Sequence, residues 1–194
     1  QLASPTLPVG AYSYSQGLEA AVEAGVVHDA ASAQRWIGDV LELSVGAMEA
    51  PLLWRMLNGE DCNELFLASR VTAELRADTV QMGVSLGRLL KDLSFDAPQG
   101  SFPAVYAFAA RAWGIAPVDA LIAYLWSWLE NQVMAAVKAV PLGQTAGQKI
   151  LLSLGQRLEI LADAVQGARP ANFAPGLAIL SARHETQYSR LFRS

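Results

Sequence analysis

The chain reads as an all-α protein, an irregular single-domain bundle of about eight to ten helices. Three observations predict it. Apolar residues recur at three- and four-residue spacing along most of the length, no sustained alternating run appears, and Gly, Pro and capping residues cut the pattern into helix-sized pieces. At 194 residues there is enough chain for one sizeable core and little for two, and no linker or internal repeat divides it, so residues 1–194 are expected to form one domain.

The elements follow in order. Ser13, with Gln16 three residues later, fits a capping box and predicts a helix to Val22 or beyond, ended by Gly25. Asp29 or Ser32 caps a second helix, with Trp36, Ile37, Val40, Leu41 and Leu43 on its apolar face, until Pro51 forces a break or restart. Asn58 and Gly59 close a short third helix. Residues 63–93 keep the helical period, and a second capping-box pair, Asp78 with Gln81, predicts a break near Ala77. Residues 94–101, with Pro98 and Gly100, are the clearest loop. Ser101 before Pro103 starts a helix to Trp113, with Gly114 as its stop. Pro117 opens a long segment to Val140, closed by Pro141. One further helix spans residues 145–166 and ends at Gly167, and Pro170 and Pro175 set off a last helix that begins near Gly176.

Hydrophobic residues make up 53% of the chain and charged residues 16%, more apolar material than a monomer needs to cover its core, so part of it is expected to face a partner. The uncharged stretch in the most apolar region, residues 120–129, falls far short of the ~20 residues that span a bilayer, which argues against a membrane protein. No basic region followed by an apolar run opens the chain, and the lone Cys62 excludes an intramolecular disulfide; both point to the cytoplasm. Because the chain opens on Gln1 rather than methionine, a short leading segment is expected to precede it.

A net charge of -4 argues against nucleic-acid binding, which relies on clustered Lys and Arg. The charge is also two-ended. Residues 1–64 hold nine acids against Arg35 and Arg55, and the remainder holds twelve bases against nine acids. Such asymmetry either orients a partner during encounter or marks an unevenly charged solvated surface.

The search for chemistry is mostly negative. His28 and His184 lie far apart, and Cys62 has no metal-ligand neighbour at the usual spacing, so no closed zinc or nickel site is expected within one protomer. Gly143, Gly147 and Lys149 have the wrong spacing for a phosphate loop, with no glycine before the lysine and no preceding strand. No Ser, His and acid fall into a nucleophile motif, and no cofactor motif is present, so no catalytic residue is assigned.

Two terminal segments stand out. LPVGAYSYSQGLE at 7–19 places Tyr12, Ser13, Tyr14, Ser15 and Gln16 at a helix entrance, more hydrogen-bonding side chains than one cap requires. SARHETQYSRLFRS at 181–194 combines Arg183, His184, Glu185, Tyr188, Arg190 and Arg193 with Phe192; arginine with aromatics is the composition of interface hot spots, and the alternative is a frayed basic terminus.

These two segments, with ELRADTVQMGVSLGRLL at 74–90 and WLENQVMAAVKAVPLGQTAGQK at 128–149, resemble the UreF family of urease accessory proteins, in the same order and over essentially the whole chain. One departure is Ala11, where the family often has glycine or serine. The resemblance implies an all-α homodimer, not an enzyme and without a cofactor. Such a protein binds UreD (UreH in some organisms) and recruits the GTPase UreG, so that nickel passes toward the urease apoprotein. By motif match, Tyr12, Lys138 and Arg190 would lie at or near the GTPase-facing surface. With the terminal segments they make a partner-binding set of Tyr12, Ser13, Tyr14, Lys138, Arg183, His184, Glu185, Tyr188 and Arg190, with residues 181–194 as a partner-binding tail. The row Tyr124, Trp126 and Trp128 is expected to bury against a two-fold mate, the other reading being that these rings are core. A different function on the same residues is GTPase activation, with Arg190 or another exposed arginine stabilising charge on the transferring phosphate.

Overall fold

The computed structural model describes residues 1–194 and is helical throughout, without a strand. After a 3-10 turn at Ala11–Ser13 come α1 (Leu18–Glu23) and α2 (Ala30–Val40). α2 runs on as a π-helical segment (Leu41–Glu49) into α3 (Ala50–Leu57). Then follow α4 (Asn63–Ala68), α5 (Ala73–Asp92), α6 (Phe102–Ala112), α7 (Pro117–Ala139), α8 (Gln144–Gly155), α9 (Leu158–Ala164) and α10 (Pro175–His184).

The axis of the fold is α7, the longest and among the most apolar of these helices, with α1, α2, α3, α6, α8 and α9 all packed against it. Leu121, Leu125 and Leu129 repeat every four residues along it and are fully buried. A single continuous core of 45 buried residues draws on every helix, so the chain folds around one interior.

Most helix boundaries obey their local chemistry. Asp29 and Ser32 both act: the Asp29 carboxylate accepts from the Ser32 N–H at 2.7 Å, and the Ser32 hydroxyl accepts from the Asp29 N–H at 3.0 Å. The stop glycines Gly25, Gly59, Gly114 and Gly167 all adopt positive φ.

Four expectations need correction. The Ser13–Gln16 box does not form, because the chain is still turning there: Gln16 and Gly17 have φ of 53° and 85°, and it is the Ser15 hydroxyl that accepts from the Glu19 N–H, at 3.2 Å. Pro51 neither breaks nor restarts its helix. Pro51 has no N–H for the Ala47 carbonyl one turn back, and the Ala171 N–H donates to that carbonyl instead at 2.9 Å. The break in residues 63–93 lies at residues 69–72, where Thr72 caps α5 by accepting from the Leu75 N–H at 3.3 Å; Asp78 is buried mid-helix. The helix expected over residues 145–166 is two, α8 and α9, parted after Gly155, which leaves no room for a side chain: a Cβ there would sit 3.0 Å from the Trp126 ring.

Gly83 sets the angle between α5 and α6. A Cβ at this position would lie 2.2 Å from the Gly100 carbonyl oxygen, so glycine is what lets the loop cross the helix so closely. The Asn63 Oδ1 accepts from the Ser101 N–H at 2.8 Å and the Thr79 hydroxyl from the Phe102 N–H at 3.2 Å, which fastens the crossing.

Candidate functional site

The two terminal segments, remote in sequence, form one structure. Left-handed backbone at Gly10, Gln16 and Gly17 folds residues 10–17 into a compact reversal ahead of α1. Two bonds from α7 strap it down. The Trp128 indole N–H donates to the Gln16 Oε1 at 2.7 Å, and the Asn131 amide donates to the Ala11 carbonyl at 2.7 Å. The tail closes from the other side. The Arg193 N–H donates to the Ser13 carbonyl at 2.8 Å, and the Ser15 and Gln16 N–H groups donate to the Ser194 carbonyl at 2.7 and 3.1 Å.

Three carboxylates hold the tail. Glu19, buried on α1, accepts from the Leu191 N–H at 2.6 Å and the Phe192 N–H at 2.9 Å, and faces the His184 Nε2 at 3.4 Å. Glu74 of α5 pairs with the His184 Nδ1 at 2.7 Å and accepts from the Arg190 Nη1 at 2.6 Å. Asp78, one turn further, accepts from the Ser194 hydroxyl. Burial pushes the Asp78 carboxyl up to about 6, against the Ser194 hydrogen bond, which lowers it, while the nearby Glu74 charge raises it further. In return Glu185 of the tail caps α5: its Oε1 accepts from the Ala73 and Glu74 N–H groups at 2.9 and 3.2 Å, a negative charge at a helix N-terminus.

The structure thus gathers Ser13, Tyr14, Lys138, His184, Glu185 and Arg190 around one junction. Tyr14 is buried there, and its hydroxyl is pushed above the usual range by burial and by the Asp78 charge, partly offset by Arg193. The Lys138 Nζ sits 4.8 Å from the centre of the buried Phe192 ring. Arg190 is fully engaged, its Nε on the Gln187 carbonyl and its Nη2 on the Glu185 carbonyl in addition to Glu74. Tyr12, Arg183 and Tyr188 turn outward, the Tyr12 ring 76% exposed and Tyr188 wholly so. The arrangement fastens chain to chain, since the nitrogens of His184 and the oxygens of Glu19 and Glu74 are occupied by internal bonds.

The aromatic row of α7 is divided. Tyr124 is buried in a cluster with Phe102 and Tyr106, and Trp128 is buried against Gln16, so both rings fill the interior of a single protomer. Trp126 alone keeps an open face, 38% exposed beside Gly155 of α8. His28 is exposed on a turn, its Nδ1 3.1 Å from the Gly25 carbonyl.

Sequence reasoning missed Glu19, Glu74 and Asp78. Asp78 had a signal: Leu75, Asp78, Met82 and Leu86 lie on one face of α5, and an acid on an apolar face needs a buried partner. The lengthwise charge asymmetry also finds a use, as Glu42 pairs with Arg157 at 2.6 Å and Glu49 with Arg70 at 2.5 Å, each joining the acidic third to the rest.

This whole framework has relatives. A family model described as UreF matches residues 27–155. A urease accessory protein UreF of Azoarcus sp. strain BH72 is 57% identical over 220 residues, covering 100% of this chain and 93% of the relative. The chain belongs to the UreF family. A second UreF, from Dechloromonas aromatica strain RCB, is 54% identical with 100% of this chain and 95% of the relative covered. A third relative, the bifunctional urease accessory protein UreEF of Bordetella bronchiseptica, is 48% identical over 100% of this chain and 50% of its own length. The UreF segments 7–19, 74–90 and 181–194 are the ones that meet at the tail junction, through Ser13, Ser15 and Glu19, through Glu74 and Asp78, and through His184 and Arg190. No helix is long and apolar enough to cross a membrane.

Proposed function

We propose that this UreF-family chain is a non-catalytic cytoplasmic adaptor of urease maturation. It works as a homodimer that bridges UreD (UreH) and the GTPase UreG, so that nickel reaches the urease apoprotein. One observation carries the reading: the tail returns onto the YSYSQ segment, the Arg193 N–H reaching the Ser13 carbonyl at 2.8 Å, so the two segments form a single composite surface. Its outward groups, Tyr12, Arg183 and Tyr188, have the large contact area and directional bonding of interface anchors. His184, Glu185, Arg190 and Lys138 hold that surface in shape from beneath. The UreEF relative, by its name, carries two accessory functions on one chain, which suits a protein that works next to other maturation factors.

Capture of UreG by the complex with UreD tests the proposal. Tyr12→Ala and Tyr188→Ala should weaken capture while melting temperature and oligomeric state stay unchanged, because neither side chain is packed inside. Truncation after Leu180 should weaken it more. Undiminished capture of UreG by the truncated chain would overturn the assignment of the tail. Loss of UreD with UreG retained would move the surface to the other partner.

The GTPase-activating reading now turns on a different arginine. Arg190 is occupied by Glu74 and two carbonyls, whereas Arg183 is exposed at the end of α10. GTP turnover by UreG that rises with this protein and falls with Arg183→Ala would favour it.

A further inference from the structure

A cavity of about 440 Å³ lies beneath the N-terminal arm, between residues 2–16, the π-helical segment, α5 and α7, in the size range of small-molecule sites. Its wall is mostly apolar, with Leu7, Val45, Leu75 and Met82 among the residues that form it. Into this wall the fold places a buried ion pair, Glu49 and Arg70, whose side chains are only 8% and 9% exposed.

The hydrogen bonds of that pair are lopsided. Both oxygens of Glu49 have donors, the Arg70 Nη1 at 2.5 Å and the Tyr124 hydroxyl at 3.3 Å. The Arg70 Nη2 donates to the Ser69 hydroxyl at 3.1 Å, but the buried Nε has no acceptor in the protein. A buried guanidinium N–H without a partner is costly, so the site lacks one acceptor and has none to offer in exchange. Charge then restricts what supplies it. Glu49 and Arg70 cancel, and the half-buried Glu130 in the same wall leaves the lining one unit negative, which opposes an anionic head group. A cationic head brings no acceptor and sets like charge beside the guanidinium.

We infer that the cavity is a binding site for an uncharged, largely apolar molecule of roughly eight to ten carbons that presents one ketone, ester or hydroxyl oxygen to the Arg70 Nε. The site stands independently of the adaptor reading. It also lies directly behind the YSYSQ segment, since Tyr12, Tyr14 and Gln16 form part of the same wall.

Calorimetric titration of the full chain with 2-octanone, octanoate and octylamine tests this. The expected result is saturable binding of one 2-octanone per protomer, with octanoate and octylamine at least tenfold weaker. Met82→Trp, which fills the cavity from α5, should abolish binding. Arg70→Lys, which keeps a charge partner for Glu49 but removes the Nε donor, should weaken 2-octanone about tenfold. Absence of saturable 2-octanone binding overturns the proposal, as water then satisfies Arg70. Equal binding of the three compounds also overturns it, as does binding that survives Met82→Trp. If Arg70→Lys fails to fold, the head-group series and Met82→Trp decide the question by themselves.

Discussion

Glu19 accepts the backbone N–H of Phe192 at 2.9 Å, a bond between the second turn-forming segment of the chain and a residue 173 positions later. With the Leu191 N–H at 2.6 Å on its other oxygen, this one carboxylate satisfies two buried donors and faces His184 as well. It makes the order of the tail depend on a single side chain of α1.

Glu19→Ala should therefore release residues 189–194 without unfolding the bundle. Leu191 and Phe192 amides, protected in the parent, should exchange with solvent within the dead time of a hydrogen-exchange experiment. The global unfolding free energy should fall by about 1–3 kcal/mol, the usual cost of leaving buried donors unsatisfied. Unchanged protection at these two amides would show that the other tail contacts suffice.

Asp78 predicts a pH dependence with a definite sign. Its folded-state value of about 6 lies above the model value of 3.8, so the folded chain retains a proton that the unfolded chain gives up in this window. The stability this group contributes is complete below pH 3.8 and is lost as pH rises to about 6, beyond which the loss is constant. Urea midpoints of Asp78→Asn, set against the parent across this range, should show the variant lacking that component. Identical pH profiles would remove Asp78 as its source.

Gly83→Ala should be among the most damaging one-methyl changes in the protein. The new Cβ would meet the Gly100 carbonyl oxygen at 2.2 Å, a backbone atom that has no rotamer to escape into. A loss of about 3 kcal/mol is expected, with α5 and α6 pushed apart. Gly87→Ala, one turn along the same helix with open space around it, should instead be neutral or slightly stabilising, and comparing their melting temperatures checks the claim.

The divided aromatic row separates stability from assembly. Trp128→Ala should destabilise the protomer by about 3–5 kcal/mol, since it empties a core position and strands the Gln16 side chain. Trp126→Asp should leave helicity intact and, on the homodimer proposal, give monomers by light scattering. A Trp126→Asp protein that remains dimeric would move the two-fold contact away from this helix.

Helix content, the stop signals and the long central helix were legible because they rest on neighbours in sequence: Asp29 with Ser32, Gly114 after Trp113, Pro117 at a first turn. The misplaced boundaries depended on remote partners. Nothing near Pro51 announces that Ala171 will take up the stranded Ala47 carbonyl, and nothing in the Ser153–Gln156 stretch shows that Trp126 lies across Gly155. The candidate site divides in the same way. Unusual composition marked the two terminal segments, but the acids that join them are ordinary in sequence, and only the three-dimensional course of the chain shows what each one faces.

The uninterrupted passage from α2 through the π-helical segment into α3 bears on which length changes this family can absorb. Bonding from i to i+5 accommodates more residues per turn than the α-helix, and each residue of an α-helix turns the next by about 100°. Deleting one residue among Leu41–Glu49 would rotate the whole of α3 relative to α2, swinging Leu52 and Leu53 out of the core together while leaving composition almost untouched. A loop such as residues 94–100 carries no such phase. Natural variation in chain length should collect there, and the rod from Ala30 to Leu57 should vary by substitution alone.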